Sequence, residues 1–249
     1  NSYFYKQSDI REILELSWVL HCVTAKGLMN RAHAYKALKE NNSDDKGVNM
    51  GLFSYPILMS ADILMFNSTH VPVGPDQLQH LEMTRDIALR FNHIFGDTFE
   101  IPEAVINNDD PIPGIDGRKM SKSYNNVIPL LCDENTLKKS IMKIVTNSLE
   151  PGVPKDHTNC NVFSLYMNFA SDQEIEEFKD DYANGISWGD AKNKLFDKAN
   201  ETLLPIREKY FDLREQKDLV NDHLSDGAKK VRPLAREFIE VIRSKIGIS

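Results

Sequence analysis

The sequence contains few cysteines, no long apolar run and no excess of basic residues. Its three cysteines, Cys22, Cys132 and Cys160, show neither the spacing of a metal site nor that of a disulfide framework. Scattered cysteines in odd number are typical of a reducing compartment, and we therefore expect a cytoplasmic protein. No apolar run reaches the roughly 20 residues that span a bilayer, and no basic-then-apolar leader is present, so we expect neither membrane insertion nor secretion.

The charge balance is acidic. Lysine and arginine together number 30 and aspartate and glutamate 37, which gives a formal net charge of −7. This balance argues against a protein coated with nucleic acid, although a local basic face can still bind RNA. The 249 residues, 41% of them hydrophobic, can form one large domain or two smaller ones. Because the sequence opens with Asn1 and soon enters a helical pattern, we expect a piece of a longer chain.

Helical patterns dominate the first part of the chain. Ser8 and Asp9 precede a periodic apolar run and predict an N-capped helix. A second helix is expected over residues 31–41. Residues 52–66 form an apolar stretch in which the only charged residue is Asp62, and their length and their leucine, methionine and alanine content favour a buried helix over a strand.

A strand and another helix follow. Residues 70–73 are short, β-branched and bounded by Gly74 and Pro75, a pattern that predicts a buried strand ending in a turn. Asp76 can cap the next helix, in which apolar residues recur on one side. Helix, strand, turn and helix in this order indicate a parallel α/β sheet.

The character of the sequence changes after about Ser123, beyond which no convincing strand is found. The predicted helices there are one capped by Asp133 and the segments 162–170, 173–182, 188–214 and 228–246. We therefore predict an α/β part followed by an all-α part. A partial Rossmann-like parallel sheet domain would occupy residues 1–125, and a helical bundle would occupy residues 126–249.

The most specific stretch of the chain is residues 117–123. Lys119 and Lys122 bring two ammonium groups that suit a polyphosphate, and Ser121 and Ser123 add hydroxyl donors. The glycines just ahead of these residues are expected to leave the backbone free to move. Such a loop can follow the charge that builds on pyrophosphate during adenylyl transfer. Composition alone would instead favour an ordinary solvated basic turn.

A second candidate site lies on the predicted helix of residues 52–66. Tyr55, Met59 and Asp62 are spaced by four and three residues, which places them on one helical face. An aromatic ring, a thioether and a single carboxylate in apolar surroundings suit an indole, whose N–H the carboxylate can accept. Such a polar contact would let the site reject phenylalanine. The alternative is that Asp62 is structural, paired with a neighbour such as an arginine, and that Tyr55 and Met59 are core residues.

Three stretches resemble known sequence patterns. Residues 119–123, Lys-Met-Ser-Lys-Ser, match the second signature motif of class I aminoacyl-tRNA synthetases without a substitution. Residues 71–82, V-P-V-G-P-D-Q-L-Q-H-L-E, and residues 51–64, G-L-F-S-Y-P-I-L-M-S-A-D-I-L, resemble the patterns of tryptophanyl-tRNA synthetases of bacterial type. Tyrosyl enzymes share several of these positions and are the nearest alternative. Met59, the Val-Pro-Val strand and the Gln-His pair of the second pattern favour the tryptophanyl family.

The resemblance implies a role for each position that matches the family patterns. The implied tryptophan-binding residues are Tyr55, Met59, Asp62, Val71, Val73 and Gln77. The implied ATP-binding residues are Gly74, Pro75, Asp76, Ile112, Lys119, Met120, Ser121, Lys122 and Ser123. Lys119 and Lys122 are also the implied catalytic residues, because they meet the leaving pyrophosphate.

Individual contacts follow from the same resemblance. Asp62 would receive the indole N–H, while Tyr55 and Gln77 would hold the amino group of the substrate. Asp76 would face the ribose of ATP, beside a strand end where open α/β sheets bind ligands. His80 could belong to the site or be a satisfied core histidine, and we favour the core histidine.

The resemblance further implies activation of L-tryptophan by ATP, with Mg²⁺ accompanying the nucleotide, and transfer to tRNA(Trp). It also implies a homodimer joined through the α/β domain and an anticodon-binding role for residues 126–249. The basic residues available for RNA contact are Lys138, Lys139, Lys143, Lys229, Lys230, Arg232, Arg236, Arg243 and Lys245. Basic runs of this kind are usually solvated faces.

The sequence departs from the family in its first part. It contains no His-x-Gly-His and no glycine-rich strand-to-helix turn before the first helix. In the family these elements hold the adenine and the triphosphate, and we therefore expect the chain alone to be inactive. The loop of residues 111–117 is shorter than in many bacterial members, which loosens the alignment of Ile112 with an adenine contact. Natural loss of the missing motif would indicate a non-catalytic RNA-binding or interaction module.

Overall fold

The computed structural model describes residues 2–32, 48–106 and 112–248. The packing of the residues divides the chain into two compact units. The first comprises Asn1–Asn108 and Asp218–Ser249, and the second comprises Asp109–Lys217. Each unit has its own apolar core.

Helices make up most of both units. In chain order they are α1 Glu12–Val23, α2 Lys26–Met29, α3 Met50–Leu64, α4 Leu78–Phe95, α5 Glu134–Met142, α6 Asn161–Tyr166, α7 Asp172–Ala183, α8 Trp188–Glu215 and α9 Lys217–Ile246. Short 3-10 helices cover Gln7–Asp9, Pro75–Gln77 and Lys122–Tyr124. The helices predicted in the described parts of the chain are present, but the one predicted over residues 162–170 ends at Tyr166 and the one predicted over residues 228–246 begins at Lys217. The helix expected over residues 31–41 lies almost wholly outside the described residues.

Two predicted helix caps are wrong. Asp9 and Asp76 lie inside 3-10 helices, and the following α-helices begin only at Glu12 and Leu78. In neither α1 nor α4 does the side chain of the N-cap residue form a capping hydrogen bond. A 3-10 turn commonly precedes an α-helix and moves its first regular residue along the chain.

A two-stranded parallel sheet joins β1 (His70–Val73) to β2 (Glu103–Ile106), with Val73 opposite Ile106. The parallel pairing confirms the predicted type of sheet. The prediction that β1 is buried is wrong, because Val71 and Val73 are only half-buried and the residues between and before them are exposed. Successive side chains of a strand point to opposite faces, so only one face of β1 is covered.

The core of the first unit forms between helices whose apolar residues recur at helical spacing. Leu16 and Leu20 of α1, Ala61 and Leu64 of α3, and Phe91 of α4 are fully buried in it. Burial of a large apolar side chain stabilises the folded state by about 1.5–3 kcal/mol. The predicted buried helix is therefore confirmed for one face of α3.

Helix α9 packs with the first unit although it ends the chain. Val231, Ala235, Ile239 and Ile242 are spaced as one helical stripe and are buried in the core that α1 and α3 share. This division differs from the predicted boundary, which placed residues 126–249 in one helical domain. An apolar stripe must be covered by other apolar surface, and that of α9 is covered in the first unit.

Arginines of α9 also form ion pairs with α1. Arg232 and Arg236 lie 3.1 and 3.3 Å from Glu12, and Arg243 lies 2.6 Å from Glu15. These arginines belong to the basic segment considered for RNA contact. Their guanidinium groups are therefore engaged within the first unit.

The second unit is helical around an aromatic core, in which the rings of Phe163 and Phe178 are stacked with centroids 5.6 Å apart. Its residues 124–217 contain no strand, as predicted. Asp133 caps α5 by accepting the backbone N–H of Thr136 at 2.9 Å, which confirms the cap predicted there.

Candidate active site

Helix α3 has a buried face and, opposite it, a half-buried face. Ala61 and Leu64 are buried in the core, whereas Tyr55, Met59 and Asp62 are half-buried. With 3.6 residues per turn, these three residues lie on the side of the helix opposite the core face. The prediction that they share one face is confirmed, and Tyr55 and Met59 are not core residues.

Asp62 is held by an amide from the start of the chain. The side-chain nitrogen Nε2 of Gln7 donates to both carboxylate oxygens of Asp62, at 2.8 and 2.7 Å. Burial raises the pKa of Asp62, and the hydrogen bond from Gln7 opposes that rise. Asp62 is thus paired with a neighbour, as the structural alternative expected, but the partner is the neutral amide of Gln7 and not an arginine.

A second aromatic residue lies near the same carboxylate. Burial, and after it the charge of Asp62, raises the pKa of the Tyr5 hydroxyl. The ring of Tyr5 also packs edge-on against Phe66, with centroids 6.1 Å apart. Asp62 therefore has an aromatic neighbour as well as the polar amide of Gln7, and its role in an indole pocket stays a prediction.

His80 links the candidate residues for the amino group of the substrate. Its Nε2 lies 2.8 Å from the hydroxyl of Tyr55, and its Nδ1 lies 3.0 Å from Oε1 of Gln77. The amide nitrogen of Gln77 donates to Asp76 at 3.1 Å, which turns Oε1 toward His80. Because Oε1 can only accept, Nδ1 of His80 donates and Nε2 accepts the proton of Tyr55. Burial raises the pKa of Tyr55, which keeps that hydroxyl protonated.

The favoured interpretation of His80 as a satisfied core histidine is confirmed as far as burial goes, since 6% of the residue is exposed. Its hydrogen bonds nevertheless run to Tyr55 and Gln77, the two residues implied to hold the substrate amino group. The three-residue spacing of Gln77 and His80 is the sequence signal that could have indicated this link, because residues three apart are neighbours on a helical turn.

The end of β1 leads directly into the candidate nucleotide segment. Gly74 follows the strand, and Pro75–Gln77 form the 3-10 helix from which α4 continues. A Cβ atom on Gly74 would lie 2.9 Å from Oδ1 of Asp76, closer than real Cβ atoms approach such a neighbour. The glycine therefore allows the Asp76 carboxylate to fold back beside the strand end.

Residues 112–120 form a tight hairpin that leads into the Lys-Met-Ser-Lys-Ser motif. The backbone N–H of Gly114 donates to the carbonyl of Arg118 at 2.7 Å, and that of Met120 donates to Ile112 at 2.9 Å. Gly117 has a φ of +83°, a value that side chains disfavour. Gly117 thus serves turn geometry in this conformation, and the expectation that the glycines leave the backbone free to move stays a prediction.

The two lysines of the motif face solvent. Lys119 and Lys122 are exposed and form no ion pair within the described residues. Met120 between them is half-buried and packs against the core of the second unit. The half-buried methionine anchors the loop, and the flanking ammonium groups remain available to an anion.

The serines of the motif organise the turn that follows it. Ser121 caps the 3-10 helix Lys122–Tyr124 by accepting the backbone N–H of Ser123 at 3.3 Å. The two serine hydroxyls lie 2.8 Å apart and share a hydrogen bond. Ile112, at the other end of the hairpin, is 48% exposed, and its contact with adenine stays a prediction.

Arg118 is the cation of the loop that already has a partner. It lies 2.6 Å from Asp116 and stacks over Tyr124 at 4.7 Å from the ring centroid. A hydrogen bond from Asn126, together with the bonds from Arg118, lowers the pKa of Asp116 to about 2. The charge of Arg118 is thus balanced locally, in contrast to those of Lys119 and Lys122.

The structure gathers the predicted site residues into two groups. The tryptophan set together with Gly74, Pro75 and Asp76 belongs to the first unit, and Ile112 with residues 119–123 belongs to the second. Within the first group, His80 joins Tyr55 to Gln77, and Gln77 in turn donates to Asp76.

Among the described residues, every helix is too short or too polar to span a membrane. In the same parts of the chain, no three histidine, cysteine, aspartate or glutamate side chains are grouped so that they could hold a metal ion.

Comparison with known proteins places these features in a family. Residues 1–204 match the family described as tRNA synthetases class I (W and Y). The chain belongs to this family. The tryptophan–tRNA ligase of Neisseria meningitidis is 50% identical over 252 residues, which cover 98% of this chain and 75% of that protein. The tryptophan–tRNA ligase of Pseudomonas aeruginosa is 50% identical over 254 residues, which cover 98% of this chain but only 57% of that protein.

A solved structure agrees with this synthetase fold over almost the whole chain. The tryptophanyl-tRNA synthetase of Campylobacter jejuni, solved with ADP and tryptophan, aligns with a TM-score of 0.91 at 43% sequence identity. The alignment covers 99% of this chain and 77% of the Campylobacter chain. The predicted fold class, a Rossmann-like sheet part together with a helical part, is confirmed.

Proposed function

We propose that this chain is the larger part of a tryptophan–tRNA ligase, which activates L-tryptophan with ATP and transfers it to tRNA(Trp). The observation that carries the proposal is the half-buried carboxylate of Asp62, on one open face of α3 with Tyr55 and Met59. The relatives at 50% identity are named tryptophan–tRNA ligases, which supports the same substrate.

Tryptophan is recognised in this proposal by its single indole N–H. Gln7 donates one hydrogen bond to each oxygen of Asp62, and a carboxylate oxygen has two lone pairs. The carboxylate can therefore accept an indole N–H while it keeps Gln7. Met59, Val71 and Val73, all half-buried, would line the ring. Phenylalanine offers no donor and would leave the acceptor without this bond.

The substrate amino group is held by Tyr55 and Gln77. Both residues reach His80, which fixes the direction of each side chain. The Tyr55 oxygen and the Gln77 Oε1 keep lone pairs that can accept N–H donors from an ammonium group. The histidine thus orients two acceptors toward one cation.

The reaction joins the tryptophan carboxylate to the α-phosphate of ATP. A carboxylate oxygen forms the new bond to the α-phosphorus, and the bond to the β-phosphate bridging oxygen breaks, so that pyrophosphate leaves. Asp76 and Gly74 would contact the ribose and backbone side of ATP. Lys119 and Lys122, exposed and free of ion pairs among the described residues, would stabilise the charge that builds on the leaving pyrophosphate.

Mg²⁺ accompanies ATP in this proposal. Mg²⁺ in nucleotide sites binds largely through phosphate oxygens and water, with few protein ligands. The described residues contain no group of three candidate ligands. We therefore propose that the ion arrives on the nucleotide.

A homodimer and a tRNA-binding helical part complete the proposal, and a cytoplasmic location stays a prediction from the cysteine content. Leu14 and Trp18, one turn apart on α1, are 62% and 70% exposed. Large exposed apolar side chains at neighbouring positions are typical of interaction surfaces. This supports a dimer formed through the first unit. Residues 126–217 are the part of the predicted tRNA-binding region that lies outside that unit.

The direct test is amino-acid-dependent exchange of pyrophosphate into ATP by the full-length protein, followed by charging of tRNA(Trp). We expect exchange with L-tryptophan and none with L-tyrosine. Exchange with tyrosine alone would identify a tyrosyl enzyme, and exchange with neither would indicate a non-catalytic RNA-binding or interaction module. The 249-residue chain by itself is expected to show no exchange, since its sequence contains no His-x-Gly-His.

A further inference from the structure

Asn126 is buried at the base of the Lys-Met-Ser-Lys-Ser loop. Only 1% of this residue is exposed, whereas its neighbours Tyr124 and Asn125 are exposed. A buried amide destabilises the folded state unless its donors and acceptor are hydrogen-bonded. The partners of Asn126 therefore reveal what its burial accomplishes.

All of those partners lie in the hairpin and the motif. The amide nitrogen Nδ2 of Asn126 donates to Oδ1 of Asp116 at 2.7 Å and to the backbone carbonyl of Lys119 at 3.1 Å. The amide oxygen accepts the backbone N–H of Ser121 at 2.8 Å. One side chain thus fixes the backbone on both sides of Met120.

The backbone of Asn126 adds a fourth contact. Its carbonyl accepts the N–H of Ile115 at 3.0 Å, so the residue also holds the start of the turn. The space that its side chain occupies is available only because residue 114 is glycine. A Cβ atom on Gly114 would lie 2.4 Å from both Cγ and Nδ2 of Asn126.

We propose that Asn126 is a positioning residue for adenylyl transfer. It holds the backbone of Lys119 and Ser121 in one conformation, and Lys122 follows Ser121 as the first residue of a 3-10 helix. The side chains of Lys119 and Lys122 therefore extend from a backbone whose conformation is fixed. Preorganised charges of this kind stabilise a transition state without reorganising during the reaction. The catalytic part of this inference rests on the proposed function, whereas the structural part does not.

The structural part is tested on this chain by limited trypsin digestion with mass spectrometry. Trypsin cleaves after Arg118, Lys119 and Lys122, all exposed. We expect Asn126→Ala to speed cleavage after these residues about tenfold, because the loop samples open conformations more often. Two controls are Asn125→Gly, which suits the left-handed φ of 50° at that position, and Leu203→Ala, which weakens the core of the same unit.

Neither control should change cleavage in the loop relative to the rest of the chain. Loop cleavage that stays at the wild-type rate in Asn126→Ala would overturn the proposal. So would loop cleavage in Leu203→Ala that rises as much as in Asn126→Ala, because general destabilisation would then explain both.

A donor–acceptor exchange tests the bond between Asn126 and Asp116 directly. Asn126→Asp replaces the amide donor, now 2.7 Å from the Asp116 carboxylate, with a second carboxylate. The two carboxylates repel each other, and we expect rapid loop cleavage. Adding Asp116→Asn restores an amide beside a carboxylate and should recover part of the protection. Absence of any recovery would contradict the specific contact.

The catalytic part is tested by kinetics of the full-length protein. We expect Asn126→Ala to lower kcat for tryptophan activation by about ten- to a hundredfold and to leave tryptophan affinity within about twofold. An unchanged kcat, or a loss confined to tryptophan affinity, would overturn the positioning role. If the wild-type protein shows no tryptophan-dependent exchange, the proposed function fails, and the digestion result still decides whether Asn126 holds the loop.

Discussion

The amide of Gln7 and the carboxylate of Asp62 are joined at 2.8 and 2.7 Å although 55 positions separate them in sequence. Burial raises the pKa of Asp62, and the hydrogen bond from the Gln7 amide opposes that rise. Because Gln7 is neutral, it does not balance the carboxylate as an arginine would. The carboxylate oxygens keep lone pairs that can accept an indole N–H.

Replacement of Asp62 tests whether its carboxylate accepts a hydrogen bond from tryptophan. In the full-length protein, Asp62→Ala should raise the KM for tryptophan by roughly 10- to 100-fold, as expected for loss of a hydrogen bond to a charged group. The matched control is Asp86→Ala, which removes an exposed carboxylate 4.0 Å from Arg31. Steady-state exchange kinetics provide the measurement, and an unchanged KM in Asp62→Ala would make that residue structural.

Replacement of Lys122 tests the leaving-group role of the loop. Lys122→Ala should lower kcat for adenylate formation by about a hundredfold, as does loss of one preorganised donor in other active sites, and should change tryptophan binding far less. Lys139→Ala, an exposed lysine on α5 in the same unit, is the control. An effect confined to tryptophan affinity would argue against contact with pyrophosphate.

The Asp116 carboxylate predicts a pH dependence for the stability of the second unit. Its pKa is lowered from 3.8 to about 2 by Asn126 and Arg118, so the folded state holds the proton more weakly than the unfolded chain. The stabilisation is then fully present above pH 3.8 and is lost as the pH falls toward 2. Thermal unfolding of wild type and Asp116→Asn should differ more at pH 6 than at pH 3. A difference that grows on acidification would contradict this linkage.

The packing of α9 predicts that a core substitution in this helix destabilises the first unit alone. Ile239→Ala should destabilise that unit by about 2–5 kcal/mol, because Ile239 is buried in a core that includes α1 and α3. Val241→Ala on the same helix is the control, since Val241 is 43% exposed and such surface changes stay within about 0.5 kcal/mol. Urea unfolding measures the loss of stability, and hydrogen exchange shows which helices lose protection. Protection lost in α5–α8 instead would assign α9 to the second unit.

Local features of the site could be predicted from the sequence because their geometry is local. The face shared by Tyr55, Met59 and Asp62 follows from helical spacing, and the end of β1 at Gly74 follows from turn residues. The helices of the second unit follow from apolar periodicity and from the cap at Asp133.

Features that depend on tertiary packing could not be predicted. β2, Glu103–Ile106, is short and begins with a charged residue, so only its pairing with β1 identifies it. The ion pairs of Arg232 with Glu12 and of Arg243 with Glu15 join residues 220 and 228 positions apart. No sequence window contains both partners, and the same holds for the contact of Gln7 with Asp62.

The role of Asn126 could not be predicted from the sequence for a different reason. It lies three residues after the signature motif, in a segment where asparagine is ordinary for a turn. Only its burial and its bonds to Asp116, Lys119 and Ser121 distinguish it from the exposed Asn125 beside it.

Ligand-dependent thermal unfolding of the full-length protein decides whether the open face of α3 is a tryptophan pocket. The melting temperature would be measured with L-tryptophan, with L-tyrosine and with no ligand, because a ligand that binds only the folded state raises it. We predict a rise with tryptophan alone that Asp62→Ala removes. A rise with tyrosine, or no rise with either amino acid, would contradict the proposed substrate.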